Sequence, residues 1–359
     1  MNKRLVYTPV LKWKQGEQKA LEELAPSIKQ FLIPIIEIPP IDWDFENEVP
    51  KKSIDEHLSK VGESFERAWG IDKPIIVDLN YIESSDRLAN GQHPLNLIVQ
   101  EAAKRGINVI PATSTNRDQA YQHEVKLAHQ QYNQGVCFRL KEEDFADLQS
   151  NIDALLLQNA VTPSQVDLVL DYEYVNPKEQ VRTTMFLTGI LNSLPYLNEW
   201  RNVILIGTSF PSDLSAVNSD SVDSIERAEW LIWKRLINSA SIKITPSYGD
   251  YGISNPAPFD ADPRFINMSA NIRYTAEDKF IIFKGRMIKR YGGNQYYQLS
   301  SQVVSHPEFS GPNFSAGDYY IQEVANQNDG PGNATNWRKS GTNHHLTYVV
   351  SELSNLLSS

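Results

Sequence analysis

Eight short apolar runs, rich in β-branched residues, alternate with amphipathic stretches along this chain. The runs cover Leu5–Leu11, Leu32–Ile38, Pro74–Leu79, Asn108–Ala112, Gly135–Leu140, Val166–Leu170, Asn202–Ile206 and Ser241–Thr245. Helix-period segments lie between them, and a last apolar helix is expected over Leu346–Leu357. Eight strand–helix units predict an α/β fold, a (β/α)8 TIM-like barrel. Unbroken runs such as Ile75-Ile76-Val77 suit strands covered on both faces of a parallel sheet. In Pro94–Arg105, Leu95, Ile98, Val99 and Ala102 mark one helical face, and Gly106 supplies the stop. In Ser224–Ile237, Ile225, Ala228, Leu231, Ile232 and Leu236 form a second stripe, with Trp230 and Trp233 as packing aromatics.

The alternation fails after the eighth run. Tyr248 to Gly341 is rich in Gly, Pro, Asn, Ser and Tyr. Ile272–Thr275 and Lys279–Lys284 predict a hairpin around Ala276-Glu277-Asp278, and Gln295–Val304 and Asp318–Val324 predict short helices. A connection this long in a compact domain is usually functional when ordered. The expectation is one domain over 1–359, with 249–341 inserted as a lid between strand eight and helix eight.

Period-two alternation decides which strand-end side chains share a face. One parity collects Lys12, Lys14, Glu37, Asp78, Asn80, Asp171, Glu173 and Asp250, with Arg139 ending the fifth strand. If these faces point inward, the groups crowd the C-terminal mouth, where such barrels place their working residues. Three uses stay open. Paired carboxylates can run acid/base chemistry, including glycoside cleavage. Several carboxylates can hold a hard cation such as Mg²⁺. Acids and cations can also form a buried network that only organises the barrel.

Near the end, Trp337-Arg338-Lys339 precedes Gly341-Thr342-Asn343-His344-His345. Asn343 is the expected cap of the last helix, with both histidines in its first, anion-attracting turn. His93, His123 and His129 read as surface residues. Arg273, Lys279, Lys284, Arg286, Lys289 and Arg290, with Tyr274 and Tyr291, form either a basic-aromatic grip for phosphate or single strands or a solvated hairpin face.

Composition narrows the field. The chain is 41% apolar and 22% charged, as soluble proteins are, and its net charge of −10 disfavours general nucleic-acid binding. Cys137 is the single cysteine, so no disulfide or cysteine cluster forms within the chain, and it reads as a small core residue. No leader pattern and no run near the ~20 apolar residues of a membrane span is evident, which makes the cytoplasm the default compartment. Dinucleotide, phosphate-loop, zinc-protease and serine-elbow motifs are all missing.

Tyr7-Thr8-Pro9-Val10-Leu11-Lys12-Trp13-Lys14-Gln15-Gly16-Glu17, Pro34-Ile35-Ile36-Glu37, Tyr248-Gly249-Asp250-Tyr251-Gly252, and Trp337-Arg338 with Asn343-His344-His345 together resemble the beta-protein family, named from a phage protein. The resemblance spans nearly the whole chain. It implies a phage-related or host-defence setting and a shared site among Lys12, Lys14, Glu17, Glu37, Asp250, Tyr251, Trp337, Arg338 and His345, but no catalytic assignment. The leading expectation is a barrel that recognises a small-molecule or protein partner at its mouth, using Lys12, Lys14, Asn80, Arg139, Tyr251, Trp337, Arg338 and His344. The alternative is a hydrolase of phosphodiester or glycosidic bonds, with Glu37, Asp78, Asp171, Glu173, Asp250 and His345 as acid/base groups or metal ligands.

Overall fold

The apolar runs become the staves of a closed parallel barrel. The computed structural model describes residues 6–257 and 267–358, so the expected strand start at Leu5 and part of the lid segment lie outside the described residues. The strands are β1 Thr8–Lys12, β2 Ile35–Glu37, β3 Ile75–Asp78, β4 Val109–Thr113, β5 Val136–Lys141, β6 Val166–Tyr174, β7 Asn202–Thr208 and β8 Ser247–Asp250. Each pairs with its sequence neighbours, and β1 closes the ring against β8, with Thr8 beside Gly249. Val10, Ile35, Ile76, Ile110, Ala112, Cys137, Val169, Ile204 and Ile206 fill the interior. The opposite strand faces join the helices in a larger outer core that includes Tyr7, Leu11, Val77, Phe138, Leu170 and Tyr248. Cys137 is buried, as its place in an apolar strand predicts.

The eighth strand corrects the sequence reading. Ser241–Thr245 is partly exposed and irregular, and the strand starts at Ser247. Its sequence, Ser-Tyr-Gly-Asp, carries no β-branched residue. Crowding at the seam explains Gly249, where an added Cβ would lie 2.6 Å from both the Thr8 carbonyl oxygen and the Ile206 side chain. The helix expected from Ser224 also starts later. Ser221–Glu226 is a strand, and the helix runs Ala228–Ile237, with Trp230 and Trp233 stacked and buried beneath it. The helix Pro94–Ala103 buries the expected face, and His93 caps it by accepting from the Leu95 amide.

The lid has its own sheet. Lys279–Met287 pairs antiparallel with Ser269–Thr275 on one side and Ser221–Glu226 on the other. Two helices, Gln295–Val304 and Ala316–Ala325, pack on it around Ile272, Tyr274, Phe283, Leu299, Ile321 and Val324. The lid sheet therefore recruits a segment that precedes β8. The last helix, Ala334–Ser358, begins twelve residues before Leu346, so Asn343 is interior and not a cap. Trp337 joins the lid core, while Leu346, Val349, Val350 and Leu353 join the barrel's outer core. This one helix binds the two parts together. No helix among the described residues is long and apolar enough to cross a membrane.

Candidate functional site

Three acidic strand ends do converge, and a cation already sits among them. Arg139 on β5 points into the barrel and is fully buried. Its Nη1 donates to Glu37 Oε1 and to Asp78 Oδ2, both at 2.8 Å. Nε donates to Asp171 Oδ2 at 2.8 Å, and Nη2 to the Tyr251 hydroxyl at 2.9 Å. Tyr251 passes its own proton toward Asp171 Oδ2 at 2.6 Å. Arg117 adds a second guanidinium, with Nη2 2.5 Å from Asp78 Oδ1. Burial opposes the Arg139 charge, but Tyr251, Asp171, Glu37 and Asp78 outweigh it and hold its pKa above the usual arginine value. Burial likewise opposes the Asp78 charge, yet Arg117 and Arg139 hold that pKa down. Glu37 differs: burial raises its pKa despite Arg139, and its Oε2 has no partner among the described residues. Three acids face two cations, and Glu37 is the group poised to carry the balancing proton.

The mouth above this knot is covered. The Lys12 amine donates to the carbonyls of Asn255 and Ala257 at 3.3 and 3.1 Å, and the Tyr81 hydroxyl donates to that of Pro256 at 2.8 Å. The segment after β8 thus lies across the barrel axis, held by side chains from β1 and from the loop after β3. Glu173 leaves the cluster. β6 bulges there, Glu173 takes φ 53°, and its carboxylate pairs at the surface with Lys141 at 2.7 Å. Asn80 is half-buried beside a separate small cleft that Arg117 and His93 also line. Among the described residues, no three His, Cys, Asp or Glu side chains are arranged to hold a metal ion. Arg139 occupies the position a cation would take between Glu37, Asp78 and Asp171.

Asp250 corrects the parity expected for β8. Gly249 and Tyr251 face the interior, so Asp250 faces outward, toward the last helix. There Asp250 accepts from the Tyr7 hydroxyl at 2.6 Å and from the Gly252 amide at 2.9 Å, and lies 3.0 Å from His345 Nε2. With Nε2–H facing the carboxylate, His345 Nδ1 accepts from the Thr275 hydroxyl at 2.8 Å. Burial opposes the Asp250 charge, but His345, Tyr7 and Gly252 hold its pKa low; burial pushes His345 down against the pull of Asp250. A hydroxyl–imidazole–carboxylate chain can activate a nucleophile. Here Thr275 is wholly buried, so the chain joins lid, helix and barrel.

His344 points the other way. Its Nδ1 lies 2.8 Å from Asp318 Oδ2 and its Nε2 2.8 Å from the Thr275 carbonyl, so both ring nitrogens face acceptors. Tyr274 donates to the same Asp318 and stacks on the His344 ring. Neither histidine lies in a first turn at a mouth. His93 and His129 are buried rather than on the surface, while His123 is exposed. The basic-aromatic hairpin also fails to form one face: Lys279 pairs with Glu308, Arg286 with Asp220, and Lys284 with the Leu214 and Val217 carbonyls.

Sequence reasoning did not single out Tyr7, Arg117, Thr275 or Asp318 as site residues, nor the buried pair Arg227 and Glu229. Arg227 Nη1 contacts Glu352 at 2.8 Å and two lid carbonyls, while its Nε, 4.0 Å from Glu229 Oε1, and its Nη2 make no hydrogen bond among the described residues. The guanidinium lies over the Trp230 and Phe280 rings. Glu229 accepts from the Ser209 amide and hydroxyl on one oxygen only, and burial raises its pKa to about 7. Charged residues at the start of a helix rich in large apolar side chains were the available signal.

A large cavity lies off the barrel axis, beside the ends of β1 and β2. It has a volume of about 510 Å³ and is formed by the loops after β1 and β2 and two short helices. Trp13 and Pro39–Pro40 line it, with Lys14, Lys52, Lys60 and Arg67 against only Asp42 and Glu63. Lys14, Lys52 and Lys60 have no ion-pair partner among the described residues. Beside it, the Trp43–Asp44 and Val49–Pro50 ladder exposes Trp43, Phe45 and Val49.

A closed ring of eight parallel strands with helices outside, and its loops gathered over the C-terminal ends, defines a TIM-type barrel protein. The sequence model of the family described as Beta protein matches residues 7–351, and the chain belongs to that family. No curated protein matches it. Solved structures similar to it include a triosephosphate isomerase from Bartonella henselae, at 9% identity and TM-score 0.35, covering 68% of this chain and 90% of that one. A tryptophan synthase alpha-subunit from Pyrococcus furiosus gives 13% identity and TM-score 0.40, covering 70% and 88%.

Proposed function

We propose that this is a phage-related or antiphage-defence protein of the cytoplasm, whose barrel recognises an acidic ligand or protein partner at its C-terminal side. One contrast carries the reading. The strand-end acids are held by Arg139 and Arg117 beneath a covered mouth, whereas Lys14, Lys52 and Lys60 of the adjoining cleft have no ion-pair partner among the described residues. In a chain of net charge −10, a cleft with four cations and two acids is the surface suited to a negatively charged partner. Exposed Trp43 and Phe45 supply apolar contact area at its edge. The phage–host setting rests on the family resemblance.

The test reverses the cleft charge with Lys14→Glu, Lys52→Glu and Lys60→Glu together. All three side chains are exposed, so melting should change by no more than about 2 °C. Plaquing of a phage panel on cells making the unmodified chain should differ from control cells, and the triple variant should lose that difference. A triple variant with full effect removes the cleft from the proposal, and an unmodified chain with no effect removes the phage setting.

The hydrolase reading retains one supporting observation. Glu37 keeps an unpartnered oxygen and a raised pKa, as a general acid requires. It needs the segment over the mouth to open and, for a metal route, Mg²⁺ to displace Arg139. Release of nitrophenol from bis(p-nitrophenyl) phosphate or from nitrophenyl glycosides, with and without Mg²⁺, tests it. Turnover that Glu37→Gln abolishes would favour this reading over recognition.

A further inference from the structure

Where the lid meets the last helix, the balance of charge is opposite to that in the Arg139 knot. Arg273, on the lid strand Ser269–Thr275, and Arg338, on the last helix, both donate Nη1 to the Ile253 carbonyl, at 2.8 and 3.3 Å. The other contacts of Arg273 are neutral: Nε to Asn271 Oδ1 at 3.3 Å, and its face over the Phe210 ring at 4.7 Å. Arg338 bonds to Ser254 Oγ at 2.7 Å and lies 3.6 Å from Glu17 Oε1. Glu17 is the only carboxylate within ion-pair reach of either guanidinium among the described residues. Burial raises its pKa against the pull of Arg338, and its Oε2 has no partner. Neither Nη2 makes a hydrogen bond among the described residues. Among the described residues, two neighbouring cations therefore share one weakened acid.

A cavity of about 120 Å³ is lined by Arg273 and Arg338, by Ser269 and Asn271, and by Tyr296 and Trp337, whose rings stack at 4.5 Å. At ~30 Å³ per water, it has room for a few waters or one tetrahedral oxyanion, but not for a nucleoside. Planar guanidinium forks are suited to phosphate oxygens, and an anion here would relieve their mutual repulsion. Gly16 keeps Arg338 in place, since an added Cβ there would lie 2.5 Å from the Arg338 Cγ. That contact gives the adjacent Gly16-Glu17 pair a structural purpose.

We propose that this cavity binds a small tetrahedral dianion, a phosphate group, between Arg273 and Arg338. The site is separate from the lysine-rich cleft, and the charge-reversed cleft variant should retain it.

Melting of the full chain in inorganic phosphate, against chloride at equal ionic strength, reads the site. The expected result is a saturable rise in Tm of about 2 °C. Arg338→Gln should weaken the apparent phosphate affinity about tenfold. Glu17→Gln should strengthen it severalfold, because it removes the competing carboxylate. A residue that serves packing alone would not change phosphate affinity in that direction. Phosphoserine is run alongside: competition with phosphate supports a site for the end of a larger ligand, and phosphate alone binding supports a free-ion site. Should Arg338→Gln fail to fold, Glu17→Gln decides the question. No phosphate-specific shift in the unmodified chain, or an unaltered affinity in a folded Glu17→Gln chain, overturns the proposal.

Discussion

At the barrel mouth, two guanidiniums meet three carboxylates; at the lid junction, two meet one. The difference lies in what each region needs from outside. Arg139 uses Nε, Nη1 and Nη2 on partners the strands deliver, so the knot is complete without a ligand. Arg273 and Arg338 have an unused nitrogen each and a cavity beside them. Charged residues at a barrel mouth are thus a poor guide to chemistry unless their partners are counted. Arg227 is an intermediate case, fully buried with one carboxylate at 2.8 Å and two nitrogens unbonded.

The largest expected effect breaks the complete region. Arg139→Met leaves Asp78, Asp171 and Glu37 buried without their main cation, which should cost about 3–5 kcal/mol. Denaturant melts measure it, and a loss below about 1 kcal/mol would show that the acids are solvated and the mouth open. Next comes Glu229, beside Arg227. Its pKa is raised to about 7 from 4.5, so between those pH values the folded chain holds a proton that the unfolded chain releases. Its contribution is full below pH 4.5 and is lost as pH rises through 7, a change of about 3 kcal/mol. Glu229→Gln should flatten the fall in stability over that window, and an unchanged slope would move the proton elsewhere. The smallest effect sharpens the count at the knot. If Glu37 carries the balancing proton, Glu37→Gln should cost no more than about 1 kcal/mol, whereas Asp78→Asn should cost clearly more. Equal losses would make the charge shared rather than localised.

Much of the barrel was legible because strands covered on both faces must be continuously apolar, as in Ile75-Ile76-Val77. The seam was not. Gly249 is there because β1 and β7 crowd it, and crowding is invisible before closure. Ser241–Thr245 has the right alternation but lies in a connection outside the ring. The last helix was read short for a related reason: Ser340, Thr342, Asn343, His344 and His345 look like a cap, yet they are buried polar residues. Asn343 binds the Ala20 carbonyl and the Gly317 amide, and the two histidines bind Asp318 and Asp250. Glu37, Asp78 and Asp171 were placed together from parity alone. Asp250 was grouped with them wrongly: it points outward to Tyr7 and His345, and Ser241–Thr245, taken for the strand, gave no check on which side faced in.

His345 reaches the Tyr7 hydroxyl across 338 positions of sequence, and Lys339 pairs with Glu23. The start of the ring therefore lacks these partners until the helix beyond the lid has been synthesised. At ~5–20 residues per second on the ribosome, Tyr7 waits some tens of seconds for His345. The final helix is therefore the last-made part of the ring's outer layer, and contacts such as Tyr7–His345 form only once nearly the whole chain exists.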